Sequence, residues 1–310
     1  MEFKHLPVLL NECLEGLNIK PDGIYVDGTL GGAGHSSELL KRIPKGKLIA
    51  IDKDLDAIKV SRERLSKISN NFVIVHDDFK NIPLILDNEN IEKVDGILLD
   101  LGVSSYQLDN YERGFSYIGN GKLDMRMDKT QKLSAYNVVN EYSEERLAKI
   151  IYEYGDERFS RKIAKSIVIA RANKPIETTQ ELVQIIERCY PSKIKNKGGA
   201  VSKKTFQAIR IEVNGELNKL KEAIENMIKK LNKKGRICII TFHSLEDKIV
   251  KTVFKEMSTN CICPPEVPIC VCNHRAEIKI INHKVITATD EELSLNKRSH
   301  SAKLRVAEKL

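Results

Sequence analysis

The sequence predicts an α/β fold: a parallel sheet wound with crossover helices and interrupted after its fourth strand by an all-helical insertion. Three observations carry that expectation. Four short apolar runs, at 24–26, 47–51, 72–75 and 94–99, alternate with helix-patterned stretches, the rhythm of a parallel sheet with right-handed crossovers. Each run ends in glycines or a carboxylate: Gly28, Gly31, Gly32 and Gly34, then Asp52, then Asp77, Asp78 and Phe79, then Asp100. Ligands of such sheets sit beyond the carboxyl ends of the strands, so the four ends converge on one candidate site. From about Leu108 to Asn214 the strand pattern then disappears while helical spacing continues.

Taken in order, residues 8–16 read as a short amphipathic helix ahead of the first strand. Ile24, Tyr25 and Val26 are β-branched or aromatic and form a short buried strand. A knot of glycines follows, and Ser36-Ser-Glu-Leu-Leu-Lys-Arg42 opens a helix with polar residues at its start. Strand, glycine turn and helix let a backbone approach a nucleoside-bearing ligand closely. The second strand ends at Asp52, where a carboxylate can bind a ribose diol. Residues 55–65 carry helical spacing and dense charge, and the third and fourth strands follow. Beyond them 144–154, 157–172 and 179–189 read as helices, with Pro175 and Pro191 ending two of them and Asn196-Lys-Gly-Gly199 a basic loop. One long helix over 203–231 leads back to a fifth strand at 236–242, a helix starts at Ser244, and 277–281 and 303–307 finish the sheet. The expected domains are therefore 1–107 with 215–310, and an inserted helical, basic domain at 108–214.

Of the 310 residues, 41% are hydrophobic and 30% charged, which describes a globular chain. With no apolar run of membrane-spanning length and no signal-peptide core, the expected location is cytoplasmic. The net charge of +8 is unevenly placed: 158–210 holds thirteen Lys or Arg against three Glu, so the remainder is slightly acidic. Such a concentration reads as a polyanion-binding face, with a lysine-rich solvated surface as the alternative. Cys13, Cys189 and Cys238 are single, whereas Cys261, Cys263, Cys270 and Cys272 form two C-x-C pairs with His274 near. Zinc and a reduced, metal-free hairpin are both open for that cluster, and no metal is assigned.

Two enzyme classes use a sheet of this kind with a nucleoside cofactor. A nicotinamide dehydrogenase wants Gly-x-Gly-x-x-Gly, and the run from Gly32 to Ser37 lacks the third glycine. An S-adenosylmethionine methyltransferase wants acidic residues after strands one and two and a polar motif after strand four, which Asp27, Asp52 and Asp100 supply. A third reading is a ribosome-assembly factor that binds RNA and cofactor without chemistry. Seven longer stretches carry a resemblance: Asp27-Gly-Thr-Leu-Gly-Gly-Ala-Gly-His-Ser36, Asp95-Gly-Ile-Leu-Leu-Asp-Leu-Gly-Val-Ser-Ser105, Gln107-Leu-Asp109, Arg113-Gly-Phe-Ser116, Leu123-Asp-Met-Arg-Met-Asp128, Thr205-Phe-Gln-Ala-Ile-Arg-Ile211 and Phe242-His-Ser-Leu-Glu-Asp247. Together with Ala302-Lys-Leu-Arg-Val-Ala-Glu308 they make the chain similar, nearly end to end, to the bacterial RsmH (MraW) family. That resemblance implies a Rossmann-like S-adenosylmethionine-dependent methyltransferase fold. It also implies S-adenosyl-L-methionine as cofactor and methylation of a cytosine N4 in the decoding region of 16S ribosomal RNA. The partner is then 16S ribosomal RNA or the small ribosomal subunit, with no membrane, and a homodimer is left open.

Carried over position by position, the resemblance puts cofactor contacts on Ala33, Gly34, His35, Asp52, Phe79, Asp100 and Gln107. Backbone N–H groups at a helix start suit a carboxylate, Asp52 can accept from ribose hydroxyls, and Phe79 can pack on adenine. For catalysis the amino group of cytosine needs an acceptor on its hydrogens, and Asp100 and Ser104 stand at the end of the fourth strand for this. His243, after the fifth strand, would orient the base or take up the proton. Ser244 is expected to cap the following helix, with Asp247 at the third position of a capping box. Lys203, Lys204 and Arg210 are the first choices for phosphate contacts, and the Asp124 to Asp128 stretch is expected to order a loop over the cofactor.

Overall fold

The computed structural model describes residues 7–191, 200–261, 263, 269, 271–272 and 275–310. The chain divides into two units, one made of everything up to Gly102 together with Lys219–Leu310, the other Val103–Asn218.

The first unit is built on a seven-stranded sheet of order β3-β2-β1-β4-β5-β7-β6. Strands β1 (Ile24–Asp27), β2 (Lys47–Asp52), β3 (Phe72–His76), β4 (Val94–Asp100) and β5 (Leu231–Thr241) run parallel. The antiparallel strand β7 (Lys303–Lys309) pairs with β5 and carries the short β6 (Ile278–Ile280) on its other side. Because β2 and β4 flank β1, the winding direction reverses between β1 and β4, the crevice where sheets of this type take their ligands. Central strands buried on both faces read as unbroken apolar runs, as in β2, where Leu48, Ile49, Ala50 and Ile51 are all buried. The helix Leu10–Leu17 crowds the sheet: a Cβ on Gly16 would lie 2.9 Å from Cys238 Sγ and 3.0 Å from a Val306 methyl.

In the second unit five helices, Ala135–Glu141, Glu144–Gly155, Ser160–Asn173, Thr179–Arg188 and Lys203–Asn214, enclose a separate apolar core. Its helix starts are chemically marked. Thr178 and Glu181 form a reciprocal capping box, as do Ser134 and Asn137. The Asp124 to Asp128 stretch is held from inside the unit. Asn214 donates to Met125 O (2.8 Å) and accepts from Met127 N (2.8 Å), while Arg113 donates to the carbonyls of Arg126 and Met127.

Three expectations about elements change. The helix expected over 203–231 is two, Lys203–Asn214 and Leu220–Lys229, because Gly215 (φ 57°) and Lys219 (φ 55°) adopt the left-handed conformation that ends one helix and precedes the next. Strand β5 begins five residues before the expected Arg236, at Leu231, with Lys234 at positive φ and a register shift opposite Val94 and Gly96. The unit boundaries fall after Gly102 and Asn218, whereas the expected cut after residue 107 would run through the helix Ser105–Asp109.

Candidate active site

The carboxyl ends of β1, β2 and β4 are stitched together by the glycine loop. Gly28 N–H donates to Leu98 O (2.9 Å) and Leu30 N–H to Ile51 O (2.9 Å), so the loop is tied to both neighbours of β1. Only glycine fits at 28: a Cβ there would lie 2.5 Å from Leu99 Cδ2 and 3.0 Å from Phe79 Cβ. Asp27 is 1% exposed and accepts from Ser36 Oγ (2.6 Å) and Thr29 N (3.1 Å). Burial lifts its carboxyl above the ordinary range, against the opposing bond from Ser36. Thr29 Oγ1 accepts from the backbone N–H of Asp100 (2.6 Å), which locks the end of β4 to the loop. Further along, Ser61 Oγ donates to Gly31 O and Arg64 to Gly32 O. Ala33, at φ 58°, turns the chain into the helix Gly34–Arg42.

Two carboxylates face this loop with perturbed acidity. Asp52 Oδ2 accepts from Gly31 N (2.7 Å) and Oδ1 from Asp54 N (2.8 Å). Burial nevertheless pushes its carboxyl up to about 6. Asp100 is also pushed up to about 6, first by burial, with His35 opposing and the charges of Asp27 and Glu246 adding. Its Oδ2 stands 3.9 Å from His35 Nδ1, and its Oδ1 is buried with no hydrogen-bond partner. His35 is anchored through Nε2 to Val8 O (2.9 Å), so that nitrogen is the donor and Nδ1 is turned to Asp100. Phe79 is half-buried at the start of the short helix Phe79–Asn81 beyond β3.

At the end of β5, His243 rather than Ser244 caps the helix Ser244–Met257, its Nδ1 accepting from Glu246 N (3.4 Å). That bond puts the ring proton of a neutral imidazole on Nε2. Nε2 lies 3.1 Å from Glu246 Oε1 but is buried without an aligned hydrogen bond. Asp247, expected in a capping box, instead binds Arg305 (2.7 Å) and Lys303 (3.4 Å).

The remaining expected residues belong to the second unit. Ser104 and Gln107 are committed to each other: Ser104 Oγ accepts from Gln107 N (3.2 Å) and Gln107 Oε1 from Ser104 N (3.0 Å). The Ser104 oxygen serves the helix start Ser105–Asp109. Lys203 and Lys204 are exposed at the start of Lys203–Asn214, Lys204 reaching Asp156 O at 2.6 Å. The Arg210 guanidinium grips Glu216 with two bonds of 2.9 and 2.8 Å and its side chain is 15% exposed, so a carboxylate orients it.

The model of the MraW methylase family matches residues 2–310. The chain belongs to the MraW methylase family. Relatives named ribosomal RNA small subunit methyltransferase H, from Finegoldia magna, Clostridium botulinum and Clostridioides difficile, are 57%, 58% and 54% identical to it, each over the full length of both chains. As a member of the MraW family the chain is an S-adenosylmethionine-dependent methyltransferase on a Rossmann-like sheet.

The residues of this MraW methylase fit that cofactor. The orphaned Asp100 Oδ1 calls for an N–H or O–H donor, Asp52 retains acceptor capacity beyond its two backbone bonds, and apart from its chain neighbours nothing lies within 4 Å of where a Gly32 Cβ would stand. Sequence reasoning passed over Thr29 and Glu246. Thr29 carries no local signal for a bond to a residue 71 positions away. Glu246 was readable only from the correct cap position. Among the described residues no helix is long and apolar enough to cross a membrane.

Proposed function

We propose that this chain transfers the methyl group of S-adenosylmethionine to the exocyclic N4 of a cytosine in the decoding region of 16S ribosomal RNA, acting in the cytoplasm on the small subunit or its RNA. The observation that carries the reading is Asp100, a carboxylate at the β1/β4 switch point with one oxygen buried and unpartnered. A cytosine amino group is a weak nucleophile because its lone pair is delocalised into the ring. An acceptor on its hydrogens localises that pair and stabilises the charge that develops as the new bond forms. The cofactor supplies an electrophilic methyl on a sulfonium, so alignment by the protein provides much of the rate.

With its acidity near 6, Asp100 is ionised at neutral pH and close enough to it to relay the proton that N4 loses. His243, whose Nε2 is buried and poorly satisfied, is the residue proposed to orient the base. The backbone at Ala33, Gly34 and His35 would meet the methionine end, Asp52 the ribose and Phe79 the adenine. Gln107 and Ser104 act first as a helix cap. The cytosine must leave its stack to be reached, and Lys203 and Lys204 are the exposed cations offered to its backbone. The names of the full-length relatives support the small subunit as substrate.

The test is incubation of the full chain with labelled S-adenosylmethionine and small subunits from cells lacking this gene, followed by mass mapping of the RNA. One N4-methylated cytosine in the decoding region is expected. Label on another base, on a carbon, or outside that region refutes the reading.

A further inference from the structure

The first unit carries a cluster that methyl transfer does not use. Between the helix Ser244–Met257 and β6 the chain makes an excursion whose two ends are tied together. Glu277 N–H donates to Met257 O (2.8 Å) and Ala276 N–H to Asn260 Oδ1 (3.2 Å). Of the residues described between those ends, Ile269 and Val271 are 75% and 74% exposed. On this excursion the sulfurs of Cys261, Cys263 and Cys272 all lie within 4.8 Å of one another, and those of Cys261 and Cys272 are 3.9 Å apart without a disulfide. Zinc–thiolate bonds of about 2.3 Å at tetrahedral angles separate sulfurs by about 3.8 Å, and the Cys261–Cys272 spacing matches that separation. A second observation is independent of the spacing. The backbone N–H of Val271 points at Cys263 Sγ (3.4 Å), the outer hydrogen bond that stabilises a metal-bound thiolate. The other cysteines of the described residues behave differently: Cys13, Cys189 and Cys238 are all buried, and burial pushes the thiols of Cys13 and Cys238 up.

We infer that Cys261, Cys263 and Cys272 bind one zinc(II) ion as thiolates. Each ligating thiol releases its proton to solvent on binding, and a further donor completes the tetrahedron. Cys270 and His274 lie outside the described residues. Three soft thiolates favour zinc over magnesium or calcium, which take oxygen ligands. The ion is structural, a crosslink between the Cys261 and Cys272 ends of the excursion.

The experiment uses the full chain, purified under reductant, exposed to zinc and desalted. Elemental analysis is expected to give one zinc per chain. Cobalt(II) in its place is expected to give thiolate-to-metal absorption in the near ultraviolet with the intense visible bands of a tetrahedral site. The double variant Cys261→Ser with Cys272→Ser should lose zinc at least tenfold, while Cys13→Ser retains it. The inference is overturned by a wild-type chain that takes up neither ion, by iron or copper as the bound metal, by a double variant that holds as much zinc as wild type, or by a disulfide between any two of these thiols. The cobalt spectrum of the wild-type chain decides the matter even where a variant fails to fold.

Discussion

Replacing Asp100 with Asn should stabilise the cofactor-free protein while abolishing methyl transfer. In the folded chain the Asp100 carboxyl holds its proton up to about pH 6, against an ordinary value of 3.8. That gap corresponds to at most about 3 kcal/mol by which ionisation opposes folding. The sign follows from proton counting. Between the two values the folded state keeps a proton that the unfolded state has lost. The group's favourable contribution is therefore full below about pH 3.8 and gone once the pH has risen through about 6. Asn carries no charge, occupies nearly the same volume, and can donate toward His35 Nδ1, which faces Oδ2 at 3.9 Å. Urea denaturation of both proteins without cofactor, at about pH 8 and about pH 5, reads the difference. Asp100→Asn is expected to gain about 1–3 kcal/mol at the higher pH and clearly less at the lower. An equal or less stable variant at about pH 8, or a difference that does not change with pH, would show that the buried charge is not the cost assigned to it.

Other outcomes follow from particular interactions. Gly28→Ala forces a methyl to within 2.5 Å of Leu99; it should cost about 1–3 kcal/mol and weaken cofactor binding by calorimetry, and wild-type values for both would contradict the packing argument. Asn214→Ala removes bonds to the backbone of Met125 and Met127; a loss of about 1–3 kcal/mol and faster proteolysis near Asp124 to Asp128 are expected, and an unchanged cleavage rate would sink the idea that Asn214 holds that loop. His243→Ala should lower stability by about 1 kcal/mol through the lost cap, which His243→Ser restores. If Ser also restores methyl transfer, His243 is a cap and nothing more. Lys203→Ala with Lys204→Ala should flatten the salt dependence of RNA binding by about 0.7 in log–log slope for each phosphate no longer neutralised; the same slope would remove both from the RNA path.

The sheet was legible because its strands are short runs of residues with no other use. Ile49, Ala50 and Ile51 are buried on both faces, and a segment of that composition between charged helices has few alternatives to a parallel strand. The convergence of Asp27, Asp52 and Asp100 was legible for the same reason: each stands at a point where such a run stops. What escaped were local choices between neighbouring residues that the sequence pattern allows equally. Whether Lys203 to Leu231 is one helix or two turns on a left-handed Gly215, and glycine inside a helical pattern reads equally as a tolerated flaw. Arg210 looked like a phosphate ligand from its neighbours, yet Glu216, six residues on, claims its guanidinium. Ser244 looked like the cap because serine is a good one, but the backbone of His243 is the extended residue and its imidazole takes the bond.

The first unit is sewn shut by its own extremities. Its antiparallel strand β7 pairs with β5, and the helix Leu10–Leu17 rests on β5 and β7, with Leu9 N–H bonded to Glu292. The helical unit draws its buried core from residues 115 to 213 alone. The sheet of β1 to β4 is therefore completed only by strands that follow the helical unit in sequence, β5 and β7. A truncated or stalled product would carry a finished helical unit beside an unfinished sheet, with the flank of β5 bare.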